Sequence, residues 1–222
     1  MPIRNDTGQR RPLSRERVLL AALTLADRDG LGALTMRRLG QELGVEAMSL
    51  YKHVAHKNEV LDGIAELVLS EFELPTEDMD WQEGMRRRAV SARAALARHP
   101  CWTVLLSRSR PGPAMLRNLD SAIGSLCRAG FSLDLAARAL SLLDSYIYGF
   151  AAQEVSLPFN TPGELIELTG SIMEQFRPED YPHLAKLGSD VILRPGYDHA
   201  AQFTYGLELI LDSLERARNA TD

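Results

Sequence analysis

The stretch from Leu34 to Val54 holds the residues whose types and spacing best suit a chemical task. Gly40 is small enough for two helices to cross closely, and Gly44 supplies the positive φ of a tight turn. Val45, Leu50 and Val54 can hold a second short helix against a first, which leaves Ala47, Met48, Tyr51 and Lys52 facing outward. A merely solvated face would carry Glu and Lys throughout. This mixture suits a major groove, where methyl and thioether groups touch thymine methyls and hydroxyls and cations meet phosphates. Arg37, in the first turn of the first helix, is placed to reach a guanine edge with both guanidinium nitrogens. The bland alternative is a small helical subdomain in which Tyr51 only packs.

Other chemistries find little support. Cys101 and Cys127 lack metal-ligand or disulfide-framework spacing and read as reduced thiols. His53 and His56 are three apart but have no third ligand. Asp144, Tyr146, Tyr148, His99 and His183 could serve an all-helical enzyme as acid and base groups, yet no nucleophile and base pair, metal triad or phosphate loop emerges. His99 precedes Pro100 at a helix end, where a turn or capping role explains it.

The elements that must position these residues are helices. The chain has 222 residues, 45% hydrophobic and 6% aromatic, and no alternating run reads as a strand. Apolar residues recur at helical spacing, as in Val18, Leu19, Ala22, Leu25 and Ala26, or Val60, Leu61, Ile64, Leu67 and Val68. The pattern predicts an all-α protein of about ten helices. Helices are expected over residues 57–73, 81–98, 114–129, 132–155, 163–176 and 197–217, with 46–53 too short to stand alone. Residues 75–80 are acidic and rich in breakers, which suits a joint. The start has no apolar core of a leader and no run of 18 apolar residues occurs, so a cytoplasmic protein without membrane association is expected.

The residues from Val18 to Leu61 resemble the tetracycline-repressor (TetR) family of transcriptional regulators. The likeness is carried by Ala21-Ala22-Leu23, Gly30, Leu34-Thr35-Met36-Arg37, Leu43-Gly44-Val45, Leu50-Tyr51-Lys52-His53-Val54, Lys57 and Leu61. It implies a ligand-responsive regulator, most simply a repressor, that binds a palindromic duplex operator as a homodimer. An effector-independent DNA-binding protein is the nearer alternative. Thr35, Arg37, Ser49, Tyr51, His53 and Lys57 fall at the family's DNA-contacting positions, and Ala47 and Met48 at base-reading ones. The implied division is a basic arm over 1–13, a helix-turn-helix over 14–56, a linker helix over 57–74, and an effector-binding and dimerisation domain over 75–222.

The likeness continues through Trp81-Gln82, Arg110-Pro111, Leu126-Cys127, Gly130-Phe131-Ser132-Leu133 and Ala139-Leu140-Ser141, similar to the family's tetracycline-binding members. Those hold a magnesium-bound drug. Here Leu106 stands in the place of the metal histidine and Gln153 in that of the water-holding glutamate. Magnesium wants hard oxygen ligands, so the resemblance implies the same pocket with no metal or other cofactor. The effector is then a small molecule of more apolar or aromatic character. Its expected lining is Arg88, Ala92, Leu106, Arg110, Met115, Leu119, Ala122, Tyr146 and Gln153, with Arg88 left either to meet an anion or to lie in solvent. The final stripe of Phe203, Leu207, Ile210, Leu211 and Leu214 either packs internally or forms the dimer interface.

Charge fits this division. The net −5 hides +4 over residues 1–57, with ten Lys and Arg against six Asp and Glu, and −9 over 58–222, with fifteen against twenty-four. A basic front end predicts that affinity for a polyanion falls steeply with salt.

Overall fold

The computed structural model describes residues 12–101, 105, 111–159 and 161–220. Leu106, Arg110 and nearly all of the expected basic arm lie outside them. Among the described residues there are ten α-helices and no strand.

The helices begin and end where local chemistry directs. In α1 (Arg15–Asp29), Ser14 caps the start by accepting from the Arg17 N–H, and Gly30 ends it at φ 79°. Thr35 caps α2 (Met36–Leu43) by accepting from the Arg38 N–H. The four-residue α3 (Ala47–Leu50) follows, then α4 (Lys57–Leu69). Asp80 accepts from the Gln82 and Glu83 N–H groups to open α5 (Trp81–Arg98), and Pro113 sits at the start of α6 (Pro113–Arg128), where a missing N–H costs nothing. The long α7 is Leu133–Ser156.

The packing divides into one compact unit up to Ala151 and a second from Ala152 onward. In the first, α1 meets α4 so closely that a Cβ on Gly63 would lie 2.5 Å from a Leu19 methyl. Val18, Ala22, Leu25, Leu39, Leu50, Val54 and Ile64 are buried there. The linker helix α4 also packs on α5 and α6, so no break in packing falls near residue 75. Trp81 meets Phe131 edge to face, with ring centroids 4.9 Å apart.

The second unit contains α8 (Pro162–Met173), whose Thr161 and Glu164 form a reciprocal capping box. It also holds α9 (Pro182–Leu187), a wide π turn over Gly188–Ile192, and α10 (Ala201–Asn219). Two features depart from the sequence pattern. Residues 182–192 are helical where no helix is expected, with Pro182 starting the first turn and Leu184, Leu187 and Val191 recurring at helical spacing but left exposed. The last helix starts at 201 rather than 197, because Asp198 turns its carboxylate onto the Ala200 N–H at 2.8 Å.

The α10 stripe lies inside the single chain. Phe203, Leu207, Leu211 and Leu214 are buried within a single chain and Ile210 half-buried. They are interior residues before any partner arrives, because every third or fourth position of α10 turns the same way. The apolar side chains that α10 leaves open are Tyr205 and Leu209, 66% and 50% exposed.

Candidate nucleic-acid interface and regulatory site

The turn between α2 and α3 is set by two glycines. Gly44 takes the left-handed conformation at φ 67°, ψ 36°. A Cβ on Gly40 would stand 2.9 Å from the Val45 carbonyl oxygen and 3.2 Å from the Ala47 nitrogen, so the second helix lies against the first at that point. The Val45 N–H donates to Gly40 O at 2.9 Å and locks the corner. Leu50 and Val54 then anchor α3 and its following turn in the core.

This anchoring fixes what faces outward. Thr35, Arg37, Met48, Tyr51, Lys52 and Lys57 are exposed, and Ala47, Ser49 and His53 half-buried. Met48 is 75% exposed, high for a thioether on a surface with no partner. Thr35 has two tasks, since its hydroxyl oxygen already caps α2 while its O–H remains able to donate. Lys57 is the first residue of α4, where free N–H groups and an ammonium together favour an anion.

Among the cations on α1–α4 and their turns, two sets stand out. Arg15 pairs with Glu59 at 3.3 Å, Arg28 with Glu42 and Asp29 at 3.1 Å, and Arg38 with Asp29 at 2.7 Å. Arg37, Lys52 and Lys57 have no ion pair among the described residues, although all three are exposed. The unit's own carboxylates therefore neutralise the flank and leave the helix-turn-helix face positive. His56 proves to be a cap, not a ligand: its Nδ1 accepts from the Glu59 N–H, while Glu59 accepts from the Ala55 N–H at 2.7 Å. That backbone donor holds the Glu59 carboxyl below its ordinary range.

In the regulatory helices the expected residues separate. Ala92 and Ala122 are buried, Met115, Leu119 and Tyr146 half-buried, and Gln153 is exposed beyond the end of the first unit. Tyr146 lies 6.1 Å from Phe150, whose face is covered by the Arg93 guanidinium at 5.0 Å. Arg88 is not solvated. It is 2% exposed, donates from Nε to Asn118 Oδ1 at 2.8 Å, and sets Nη1 2.8 Å from Asp144 Oδ1. Burial, and then the Asp144 charge, push the nearby Tyr148 hydroxyl up to about 12, so it stays protonated at neutral pH. Asn118 has no signal in sequence. Asp144 and Tyr148 do, in sharing one helix face at i, i+4.

Two other groups have structural work. His99 stands between Asp27 at 2.7 Å and Glu71 at 2.9 Å, and the Cys101 thiol lies 3.4 Å from Asp27, with burial pushing it up to about 12. A thiol so protonated is inert.

A two-glycine helix-turn-helix with an unpaired cationic face, carried on a larger helical body, is the architecture of a DNA-binding regulator of transcription. Residues 74–218 match the family described as tetracyclin repressor-like, C-terminal domain. With the helix-turn-helix in front of them, they place the chain in the TetR family, to which it belongs.

The chain is 32% identical to the tetracycline repressor protein class A from transposon 1721 of Escherichia coli, over 90% of each protein. It is 31% identical to the HTH-type transcriptional repressor DrrR1 of Streptomyces coeruleorubidus, over 96% of this chain and 81% of that one. Among solved structures, the TetR family protein ActR of Streptomyces coelicolor in complex with actinorhodin superposes with a TM-score of 0.75 at 29% identity, covering 94% of this chain and 99% of that one. These relatives are transcriptional regulators by name, and ActR is held in complex with actinorhodin and with (S)-DNPA in its solved structures. The chain is a ligand-responsive transcriptional repressor of this kind. No helix among the described residues is long and apolar enough to cross a membrane.

Proposed function

We propose that the protein acts in the cytoplasm as a homodimer on a palindromic operator, and that a small, largely apolar or aromatic effector without a metal releases it. The observation that carries this reading is the division of cations. Arg37, Lys52 and Lys57 are exposed and unpaired among the described residues, while Arg15, Arg28 and Arg38 are neutralised. Arg37 reads a guanine edge, Ala47 and Met48 touch thymine methyls, and Thr35, Ser49, Tyr51, Lys52, His53 and Lys57 hold the backbone. Two such faces reach successive major grooves about 34 Å apart only in a dimer. Tyr205 and Leu209 of α10 are open to a second copy.

Release begins at the polar group around Arg88, where α5, α6 and α7 bring their side chains together. A ligand there moves α6, and α6 is joined to the linker helix: Glu66 of α4 accepts from the Ala114 N–H at 2.6 Å. Because α4 packs on α1 through Gly63 and Leu19, its displacement carries the helix-turn-helix with it. A coupling of about 1–3 kcal/mol suffices for such linkage. Selection of duplexes from a random pool by the purified protein, followed by screening the complex for compounds that release it, tests the reading. A symmetric site and a releasing compound are expected. No enrichment over input overturns it.

A further inference from the structure

The cluster around Arg88 is incomplete as it stands. Asn118, 3% exposed, accepts from Arg88 Nε at its Oδ1, and its Nδ2 has no acceptor. On the other side of the same guanidinium, Asp144 Oδ1 lies 2.8 Å from Nη1 but off the direction a hydrogen bond needs, so that oxygen also accepts none. Buried polar groups are nearly always paired, and an orphan donor and an orphan acceptor flanking one residue call for a specific explanation. Charge, by contrast, is already complete, with one guanidinium against one carboxylate. The Asp144 side chain keeps 22% exposure and Tyr148 is half-buried, so the group comes near the surface at that end, although Asp144 Oδ1 itself is covered.

We propose that this cluster is the polar end of the effector site and that it takes a neutral group with a carbonyl oxygen beside an N–H or O–H, as in a lactam fused to an aromatic ring. The carbonyl accepts from Asn118 Nδ2 and the ligand's donor is given to Asp144 Oδ1. This assignment rests on the reading of the chain as an effector-responsive repressor. A ligand carboxylate is disfavoured because it brings a second negative charge to a guanidinium that Asp144 already neutralises, where water cannot screen it. A ligand without polar atoms leaves both orphans unmet, and a site built to hydrogen-bond rejects such a molecule.

Three probes test this on the full chain by titration calorimetry: phenanthridin-6(5H)-one, its N-methyl derivative, which lacks the donor, and phenanthrene-9-carboxylate. The wild-type protein should bind the lactam about tenfold tighter than either of the others, the loss of one hydrogen bond being worth about that factor. Asp144→Leu should erase the preference for the N–H compound. Asn118→Leu should weaken both lactams alike and leave their ratio standing. These ratios are insensitive to a general loss of stability, and if Asp144→Leu fails to fold, the wild-type series and Asn118→Leu decide. Equal binding of lactam and N-methyl lactam, tighter binding of the carboxylate, or binding of none of the three overturns the assignment. Binding with the expected ratios but no release from operator would instead overturn the repressor reading and leave the subsite standing.

Discussion

Glu66, near the end of the linker helix, closes the start of α6 by accepting from the Ala114 N–H at 2.6 Å, with the Met115 N–H 3.4 Å from its other oxygen. A carboxylate there satisfies backbone donors that the helix cannot and meets the positive end of its dipole. The fit leaves no room before it, since a Cβ on Gly112 would lie 2.5 Å from the same carboxylate. The helix that leaves the DNA-binding face is thus hydrogen-bonded through this side chain to a helix of the regulatory body on which it also packs.

Replacing it tests that fastening. Glu66→Ala should cost about 1–2 kcal/mol of folding stability, from lost charge-assisted bonds at a helix start. It should also raise the effector concentration needed for half-release from operator. Thermal denaturation and an operator-release titration read the two effects. A variant that loses stability but responds to effector as before would confine Glu66 to a capping role.

For Arg37, the question is whether it reads bases or only holds phosphate. Arg37→Ala should weaken the selected operator by about 1–3 kcal/mol and flatten the preference at one position in each half-site. Binding measured across a panel of single-base operator variants decides. A uniform loss on all duplexes would make Arg37 a backbone contact.

On α10 the two apolar faces should behave oppositely. Leu207 is fully buried in one chain, so Leu207→Arg buries an unpaired charge and should destabilise folding by about 4 kcal/mol or more. Leu209 is 50% exposed, and Leu209→Arg should leave the chain folded while shifting sedimentation from dimer toward monomer. A folded, monomeric Leu207→Arg protein would restore the buried stripe to the interface.

Glu71 predicts part of the acid behaviour. Burial raises its carboxyl, but hydrogen bonds from Arg98 and His99 outweigh burial and hold it below the ordinary 4.5. A carboxyl depressed in the folded state adds stability above its unfolded value and loses it as pH falls through the folded one. Wild-type stability should therefore drop below pH 4.5, and Glu71→Gln should drop less steeply over that range in denaturant titrations. Parallel curves would show that the contacts carry no linkage.

Sequence was most informative where structure is local. Gly40 and Gly44 announce their turn because the constraint lies within a few residues, and the outward face of α3 follows from which neighbours must point in. Periodicity also shows that one face of α10 is apolar. It does not say whether Phe203 and Leu207 meet their own chain or another, since both demand the same stripe. Arg88 is the harder case. Its burial depends on Asn118 and Asp144, each contributed by a different helix, and no spacing rule joins them. His56 escaped notice as a cap because histidine is not among the residues that usually cap a helix, although the expected helix also starts at 57, and the rhythm of Leu184, Leu187 and Val191 is too short to separate a helix from a loop.

Lys52 and Lys57, left unpaired beside Arg37 among the described residues, are proposed to meet the phosphate backbone of an operator. This contact is tested most directly by the salt dependence of operator affinity for the wild-type protein and the Lys52→Ala/Lys57→Ala double variant. A steep wild-type decline of log K with log salt is expected, made shallower in the variant by about 0.9 for every phosphate contact removed. Identical slopes, with affinity unchanged, would contradict it.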